Sequence, residues 1–393
     1  MKRIEEAQKY LKARRIDGWL LYDFHGKNEL ARHFLHLSPK QMTTRRFFYW
    51  IPAFGEPVKL LHAIEPHILD SFPGELRLYS SWQSLEKELA ELMQRVNKAA
   101  MEYSPKNAIP YISLVDAGTV DLIRSLGVEV VSSADFLPYF TAVLSDEQIE
   151  TQRRAAKALD QIAETTWNWI GDHLKRGHPI SEYDVQQKIV AEFKERHLIT
   201  DHAPIVAVNA HTADPHYAPE KESSSPIEKG DFILIDLWAK ERGERAIFGD
   251  ITRVAVAAAT PTQKQQEIFS IVRKAQKTAA EFVRKRLALQ KRVEGWEVDE
   301  IARSVIREAG YGIYFIHRTG HNIEIELHGS GAHMDNLEMH DTRPILPSTC
   351  FSLEPGIYLP GEFGVRLEFD LLVLKDGTVE ISGGEPDAIV CLF

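Results

Sequence analysis

The stretch 232–238 reads Phe-Ile-Leu-Ile-Asp-Leu-Trp and decides how the second half of this chain is interpreted. Its apolar residues occupy both faces of an extended chain, which predicts a strand buried on both sides. Asp236 stands in the middle of that strand. An unpaired carboxylate there would cost several kcal/mol or more, so a positive group must meet Asp236.

Two further acids interrupt apolar stretches in the same half of the chain. Asp250 begins a strand-like stretch that continues to residue 257, and Glu354 lies within 350–358, which the apolar pattern predicts as one strand. Taken alone, each acid has a simple structural explanation, because it could pair with an arginine or lie at a sheet edge.

A third strand-like stretch, 365–374, carries alternating charges. Period-two counting places Arg366, Glu368 and Asp370 on one face and only apolar residues on the other. With Asp236, Asp250 and Glu354, the residue Glu368 makes a set of four buried carboxylates. Oxygen ligands suit divalent cations, and four carboxylates carry enough charge to neutralise two such ions.

Histidines cluster between the predicted strands. His317, His321 and His328 are separated by four and seven positions (321 − 317 and 328 − 321), and Gly320 beside His321 permits a close backbone approach. The alternation after residue 322 predicts a strand on which Glu324 and His328 share a face. A single histidine is more often a structural or surface residue than a ligand, but for three within twelve residues the structural and the functional interpretation are about equally favoured.

Length and charge limit the classes of protein to consider. A chain of 393 residues favours two domains, and its 44% hydrophobic and 26% charged residues are typical of globular protein. The 47 basic and 57 acidic residues give a formal net charge of −10, which opposes binding to nucleic acid or to an anionic membrane. No signal peptide, transmembrane stretch or metal-type cysteine spacing is evident, so we expect a cytoplasmic protein.

The pattern of elements predicts two domains, 1–144 and 145–393. The first alternates helix-like and strand-like stretches, including a hairpin turn at 55–57, and reads as a small α/β domain without evident chemistry. The second reads as α+β. Its helices are predicted to begin after Ser145, after Ser181, and at Pro261 as the first helical residue.

These segments together resemble the pita-bread metallopeptidases, in the branch that contains prolidase (Xaa-Pro dipeptidase) and aminopeptidase P. The resemblance covers essentially the whole chain and is strongest after about residue 200. It rests on Asp236, the stretch 249–253, Gly320-His321, the stretch 353–358 and the stretch 364–368. It implies a pita-bread catalytic domain preceded by a smaller α/β domain.

The resemblance also implies a set of site residues. The metal ligands would be Asp236, Asp250, His321, Glu354 and Glu368. They would hold two divalent ions, with manganese favoured and cobalt, zinc or iron as alternatives.

Four further residues would serve the reaction: His216, His317, His328 and Arg366. The histidines could stabilise an oxyanion, carry protons or bind the substrate carboxylate, and Glu354 could act as a general base besides binding metal. Arg366 could anchor a carboxylate or pair with Asp370 or Glu368. The family also implies a homodimer.

This sequence departs from the family pattern in three places. Asp236 and Asp250 are fourteen positions apart (250 − 236), a longer interval than usual, which a longer hairpin tip would accommodate. Asn322 and Glu324 stand where the family has small residues. Glu324 could bind a substrate amine, although a solvated rim residue is the preferred interpretation. Gly329 replaces an acid that usually follows the last histidine.

The function expected from these observations is hydrolysis of peptide bonds next to proline, with a proline-containing dipeptide as the first substrate. Aminopeptidase P activity, or another exopeptidase activity including release of a C-terminal residue, stays open. A non-catalytic peptide-binding protein is the alternative from another class. It would gain little from keeping buried carboxylates that must be neutralised.

Overall fold

The computed structural model describes residues 2–38 and 41–393, and the chain divides into two compact units, Met1–Thr141 and Ala142–Phe393. We call them the N-terminal unit and the C-terminal unit. The boundary expected from sequence, between residues 144 and 145, lies three residues further along. None of the helices in the described ranges combines the length and apolarity needed to cross a membrane.

The N-terminal unit is an α/β structure on one six-stranded sheet. Its elements in chain order are α1 (Lys2–Arg14), β1 (Gly18–Asp23), α2 (Glu29–Phe34), β2 (Phe47–Pro52), β3 (Val58–His62), β4 (Glu75–Tyr79), α3 (Trp82–Met93), β5 (Lys98–Met101), α4 (Ala117–Ser125), β6 (Glu129–Ser132) and α5 (Pro138–Thr141). The strand order is β4-β3-β2-β1-β5-β6, and only β2 runs antiparallel to its neighbours. The predicted hairpin at 55–57 is confirmed, since β2 and β3 pair antiparallel across it.

The C-terminal unit is α+β. Its elements are α6 (Asp146–Arg176), α7 (Glu182–Glu195), β7 (Leu198–Ile199), β8 (Ile205–Val208), β9 (Phe232–Glu241), β10 (Gly249–Val256), α8 (Gln263–Ala288), α9 (Gly295–Glu308), β11 (Asn322–Ile323), β12 (Thr349–Leu353), β13 (Gly356–Leu359), β14 (Phe363–Arg366), β15 (Phe369–Val373), β16 (Val379–Ser382) and β17 (Val390–Cys391). Strand β9 pairs with β10, β8 and β7, while β12 lies between β11 and β15. Strands β13 and β14 form a separate two-stranded ribbon.

Strand β9 is buried on both faces, as its sequence predicts. Phe232 and Leu234 pack into the core formed with α8 and α9. Ile233 and Ile235 pack into a second core, formed with α6 and α7. Because side chains alternate along a strand, Asp236 shares the face of Phe232 and Leu234.

Strand β10 repeats this division beside β9. Val254 contributes to the α8 and α9 core, while Ile251 contributes to the α6 and α7 core. Asp250 and Thr252 therefore lie on the face of Val254, and Thr252 pairs directly with Asp236 in the antiparallel register. Two strands thus bring polar side chains to one side of the sheet.

Two of the predicted strands are wrong as continuous elements. The stretch 350–358 is split into β12 and β13 at Glu354 and Pro355, because a proline has no amide hydrogen to donate to the ladder. The stretch 365–374 is split into β14 and β15 at Leu367 and Glu368. Both candidate ligands therefore lie where a strand ends and the chain changes direction.

The predicted helix starts are confirmed at two of three places. Ser145 and Ser181 cap α6 and α7, each within a capping box. For α8, however, the N-cap is Thr262, so Pro261 lies before the cap instead of at the first helical position. The hydroxyl of Thr262 accepts the Gln265 amide, and this bond sets the start.

Candidate active site

Asp236, Thr252 and Glu368 form the centre of a buried polar cluster. Thr252 Oγ1 lies 3.0 Å from Asp236 Oδ1 and 2.8 Å from Glu368 Oε2, so this hydroxyl joins a carboxylate on β9 to one beyond β14. Asp250, on β10, is also buried. The long interval between the two aspartates is accommodated as expected, since β9 and β10 form one antiparallel hairpin joined by residues 242–248.

His321, the residue immediately before β11, joins the same cluster. Its Nε2 lies 3.5 Å from Asp250 Oδ2 and 3.5 Å from Glu354 Oε1. Burial, followed by the charges of His328 and Arg318, lowers the pKa of His321 well below its ordinary value, so the ring is neutral and can offer a lone pair.

Gly320 allows this approach, as the sequence indicates. A Cβ at Gly320 would lie 1.9 Å from the backbone oxygen of Ser352, which leaves no room for any side chain. The His321 amide donates to Ser352 Oγ at 3.0 Å, and Ser352 Oγ lies 3.1 Å from Glu354 Oε1. Close packing of the two backbone segments therefore sets the position of His321 relative to Glu354.

The electrostatics of the cluster indicate that positive charge is needed. Burial, and then repulsion from Glu368 and Asp236, raises the pKa of Asp250 well above its ordinary value. Burial, and then repulsion from Glu354 and Asp236, also raises the pKa of Glu368 well above its ordinary value. Burial raises the pKa of Glu354 to about 7. Within the described part of the chain, the buried Asp250 Oδ1 has no hydrogen-bond partner.

The donor set fits divalent cations. One ligand atom each of Asp250, His321 and Glu368 lies within 4.8 Å of the others, close enough to surround an ion. Carboxylate oxygens with one imidazole nitrogen form a set that manganese, iron, cobalt or zinc accept. A cation here would satisfy Asp250 Oδ1 and offset the repulsion that raises these pKa values.

Arg366 occupies a different position from the one expected. It pairs with Asp236 through Nη2 and Oδ2 at 2.6 Å, instead of pairing with Asp370 or Glu368. Its Nη1 donates to Tyr358 Oη at 3.0 Å. The reason is the break after β14, which ends the simple alternation from Arg366 to Asp370.

Asp370 plays a supporting part that the sequence did not specify. Its Oδ2 accepts the backbone amide of Asp250 at 2.9 Å and Gln152 Nε2 at 2.7 Å. Asp370 thereby fixes the backbone of Asp250, a candidate metal ligand. Such contacts behind a metal site orient the ligands and tune their basicity.

His317 is half-buried beside Arg366 and Tyr358. Its Nδ1 lies 2.7 Å from the Arg318 carbonyl oxygen, and its Nε2 lies 2.7 Å from Tyr358 Oη. Burial, and then the charge of Arg366, lowers the pKa of His317 to about 3. The neutral ring therefore donates through Nδ1 and accepts the Tyr358 proton at Nε2.

His328 and His216 are the most accessible of the candidate residues. His328 is exposed, and its ring centroid lies 4.3 Å from that of His321. His216 is also exposed, in the loop that follows Val208. This loop reaches the cluster, since the carbonyl of Pro215 accepts from Arg366 Nη1 at 3.4 Å.

The loop that carries His216 is held by Glu182, a buried residue that the sequence gave no reason to select. Its carboxylate accepts the backbone amides of Val208 and Ser225, each at 2.8 Å, and the Tyr217 hydroxyl at 2.6 Å. The loop also packs against β14. A Cβ at Gly364 would lie 2.2 Å from the carbonyl of Thr212.

The strand predicted after residue 322 is wrong. Strand β11 ends at Ile323, and the chain then bends. Glu324 is only 6% exposed, so its interpretation as a solvated rim residue is also wrong. Its Oε1 accepts the amides of Ser330 and Gly331 at 2.8 and 3.2 Å and lies 3.0 Å from Ser330 Oγ. These backbone donors turn the side chain inward.

Gly329 leaves room for Glu324. A Cβ at Gly329 would lie 2.7 Å from Glu324 Cγ and Cδ and 2.5 Å from Asn322 Oδ1. The two departures from the family pattern therefore accommodate each other. Together they shape the loop that carries His328.

Comparison with known proteins identifies the family. The model of metallopeptidase family M24 matches residues 150–375, a range that contains all nine candidate residues. The putative dipeptidase YkvY of Bacillus subtilis is 31% identical over 310 residues, which cover 79% of this chain and 77% of that protein. The Xaa-Pro dipeptidase of Lactobacillus delbrueckii subsp. lactis is 29% identical over 246 residues, covering 62% and 61%.

A solved structure supports the fold. Dipeptidase PepE from Mycobacterium ulcerans has a TM-score of 0.71 at 22% identity, covering 100% of this chain and 97% of that one. The expected architecture, a pita-bread domain after a smaller α/β domain, is confirmed. Since the family model covers more than half of the sequence, this chain belongs to metallopeptidase family M24.

Proposed function

We propose that this metallopeptidase is an exopeptidase with a dinuclear metal site and that it hydrolyses Xaa-Pro dipeptides. The proposed metal ligands are Asp236, Asp250, His321, Glu354 and Glu368. The observation that carries the proposal is the cluster of Asp250, His321 and Glu368, whose ligand atoms lie within 4.8 Å of one another, together with the buried Asp250 Oδ1, which has no hydrogen-bond donor in the described ranges. Manganese is the preferred ion, and cobalt, zinc or iron would suit the same ligands.

When bound, divalent ions supply Lewis-acid chemistry, which activates a water for attack and polarises the scissile carbonyl. The protein must then move a proton. Glu354 lies at the edge of the cluster beside His321, where its carboxylate can take the proton of the attacking water. As the bond between the carbonyl carbon and the proline nitrogen breaks, Glu354 returns that proton to the nitrogen, which leaves as a secondary amine.

The second part of the mechanism is the chain Arg366, Tyr358, His317. Arg366 donates to Tyr358, whose hydroxyl donates to His317. Arg366 is also paired with Asp236, so its role is to orient this ligand and Tyr358 instead of binding substrate. Among the histidines, the exposed His216 and His328 are therefore the ones we assign to substrate binding.

The dipeptidase assignment derives from relatives such as the Lactobacillus Xaa-Pro dipeptidase. Aminopeptidase P activity on longer peptides is the nearest alternative, followed by another exopeptidase activity. We also propose a homodimer and a cytoplasmic location. The homodimer follows from the family resemblance, and the location follows from the composition.

The test uses metal-stripped full-length protein, to which manganese, cobalt or zinc is restored. Ala-Pro, the tripeptide Ala-Pro-Ala and the control Ala-Ala are then compared by release of free amino acid. Cleavage of Ala-Pro in preference to both other peptides is expected. Cleavage of Ala-Pro-Ala with Ala-Pro untouched would assign aminopeptidase P activity, and no cleavage with any ion would contradict the proposed exopeptidase function.

A further inference from the structure

The N-terminal unit contains a cavity of about 690 Å³. It lies where β1, β3 and β4 end, next to the start of β2 and to the loops before α3 and α4. Crevices outside the carboxyl ends of parallel strands are common ligand sites, and this volume is within the range of small-molecule pockets. The proposed peptidase reaction does not use any residue of this unit.

The cavity is lined by a concentration of positive charge. Lys27, Arg45 and Arg46 line it, and Asp116 is its acidic lining residue. Among the described residues, none of these three cations forms an ion pair. Arg45 Nη1 donates only to the backbone and hydroxyl oxygens of Thr44. This excess of positive charge contrasts with the formal net charge of −10 of the whole chain.

The single lining acid is already engaged. Asp116 caps α4, since its Oδ1 accepts the Thr119 amide at 2.8 Å and its Oδ2 accepts the Thr119 hydroxyl at 2.8 Å. Glu65 approaches the same region from outside the lining and accepts the amides of Thr44 and Arg45. The formal charge of the lining, with histidine neutral, is therefore three minus one, or +2.

Aromatic surface borders these cations. Trp82, the first residue of α3, is 63% exposed and Phe24 is 37% exposed, although both are large and apolar. Both also line the cavity. Exposed aromatic faces beside cationic side chains suit a ligand that has a planar ring and an anionic group.

We propose that this cavity binds a small phosphate monoester that carries a planar ring, with the chemistry of a nucleoside monophosphate. A phosphate monoester carries a charge of about −1.5 to −2 near neutral pH, which matches the lining better than the single charge of a carboxylate. Lys27, Arg45 and Arg46 would bind the phosphate, and Trp82 would stack on the ring. The volume exceeds what a bare anion fills.

The test is calorimetric titration of the metal-loaded, full-length protein with AMP, adenosine, inorganic phosphate and Ala-Pro. AMP is expected to bind at one site with a Kd between about 10 μM and 1 mM, and adenosine and phosphate at least about tenfold more weakly. Arg46→Gln and Lys27→Gln should each weaken AMP about tenfold. Lys9→Gln, which removes an exposed charge of α1 outside the lining, should leave AMP binding unchanged.

Two further variants locate the site. Trp82→Ala should weaken AMP and adenosine but not phosphate, because only the ring contact is lost. Asp250→Ala should bind AMP as the parent does, and loss of binding there would place AMP at the metal site and overturn the proposal. The proposal would also be overturned if phosphate and AMP bound with equal affinity, or if AMP produced no heat of binding. The same holds if Lys9→Gln weakened AMP binding as much as Arg46→Gln and Lys27→Gln do. Lys27 is exposed, so Lys27→Gln remains informative if Arg46→Gln misfolds.

Discussion

Buried carboxylates occur in both units, and their surroundings differ. In the N-terminal unit, Asp23 accepts the amides of Gly26 and Asn28 and the hydroxyl of Thr43, and lies 3.4 Å from Arg32 Nη1. In the C-terminal unit, Asp250 lies beside His321 and is repelled by several other carboxylates, with Glu368 and Asp236 first among them. Burial of an acid therefore does not by itself indicate chemistry. A shortage of hydrogen-bond donors around the acid does.

Glu102 of the N-terminal unit is a second buried acid that is surrounded by hydrogen-bond donors. Its Oε1 accepts Trp19 Nε1 at 2.6 Å and its Oε2 accepts Asn28 Nδ2 at 2.9 Å. Glu324 is the corresponding case in the C-terminal unit, with donors instead of carboxylates around it. We therefore interpret Glu102 and Glu324 as structural acids, whereas Asp250, whose Oδ1 has no donor among the described residues, fits the proposed role of a metal ligand.

The largest effect is expected for the proposed ligands. Asp250→Ala and Glu354→Ala should each lose bound metal and about a thousandfold or more in kcat/KM, since each removes a ligand and the activation that the ion supplies. Metal content by mass spectrometry and hydrolysis of Ala-Pro measure this. Glu326→Ala, which removes an exposed acid of the same unit, is the matched control. An unchanged rate in either ligand variant would refute the ligand assignment.

The second effect concerns the pH dependence of stability in the N-terminal unit. Burial raises the pKa of Glu102 from 4.5 to about 7. Between pH 4.5 and about 7, the Glu102 carboxyl is ionised in the unfolded chain and protonated in the folded protein. Glu102 therefore makes a stabilising contribution to the free energy of unfolding that is fully present below pH 4.5. This contribution, about 3 kcal/mol, is lost as the pH rises to about 7.

Glu102→Gln should remove that dependence, because glutamine does not titrate. Urea unfolding of parent and variant at several pH values, followed by near-ultraviolet circular dichroism, measures the difference. We expect the curve of the parent to fall relative to that of Glu102→Gln between pH 4.5 and 7. Parallel curves across this range would show that Glu102 is ionised in the folded protein and would contradict the prediction.

The smallest effect is expected at Glu324, whose donors hold the loop that carries His328. Glu324→Ala should lower kcat/KM for Ala-Pro about tenfold by loosening that loop, with metal content unchanged. Glu324→Gln keeps an acceptor oxygen and should retain most of the activity. A rise in KM with little change in kcat is expected if His328 binds substrate. Loss of metal from Glu324→Ala would place Glu324 with the ligands instead.

Several features were accessible from sequence because they depend on local patterns. The unbroken apolar stretch around Asp236 predicted a strand buried on both faces, and the paired capping residues Ser145 and Gln148 predicted the start of α6. Each of these signals is contained within one strand or one helical turn.

Other features required contacts between distant segments. Arg366 pairs with Asp236, and the Asp250 amide donates to the Asp370 carboxylate. Glu182 accepts the Val208 amide at the start of the loop that carries His216. Each of these contacts joins residues far apart in the chain. The inward turn of Glu324 also depended on amides beyond a bend that strand counting did not foresee. Period-two counting fails at such bends because it assumes an unbroken pleat.

The sequence by itself predicted which residues would carry the chemistry: an apolar strand that contains an acid buries that acid, and a buried carboxylate needs a positive charge or hydrogen-bond donors. It also determined the family pattern in which those acids occur. Only the tertiary structure decided which buried acids already have their donors, as Asp23 and Glu324 do, and which have an oxygen without one, as Asp250 does among the described residues. The physical reason is that hydrogen-bond donors come from whichever backbone passes nearby, and the packing of distant segments decides that.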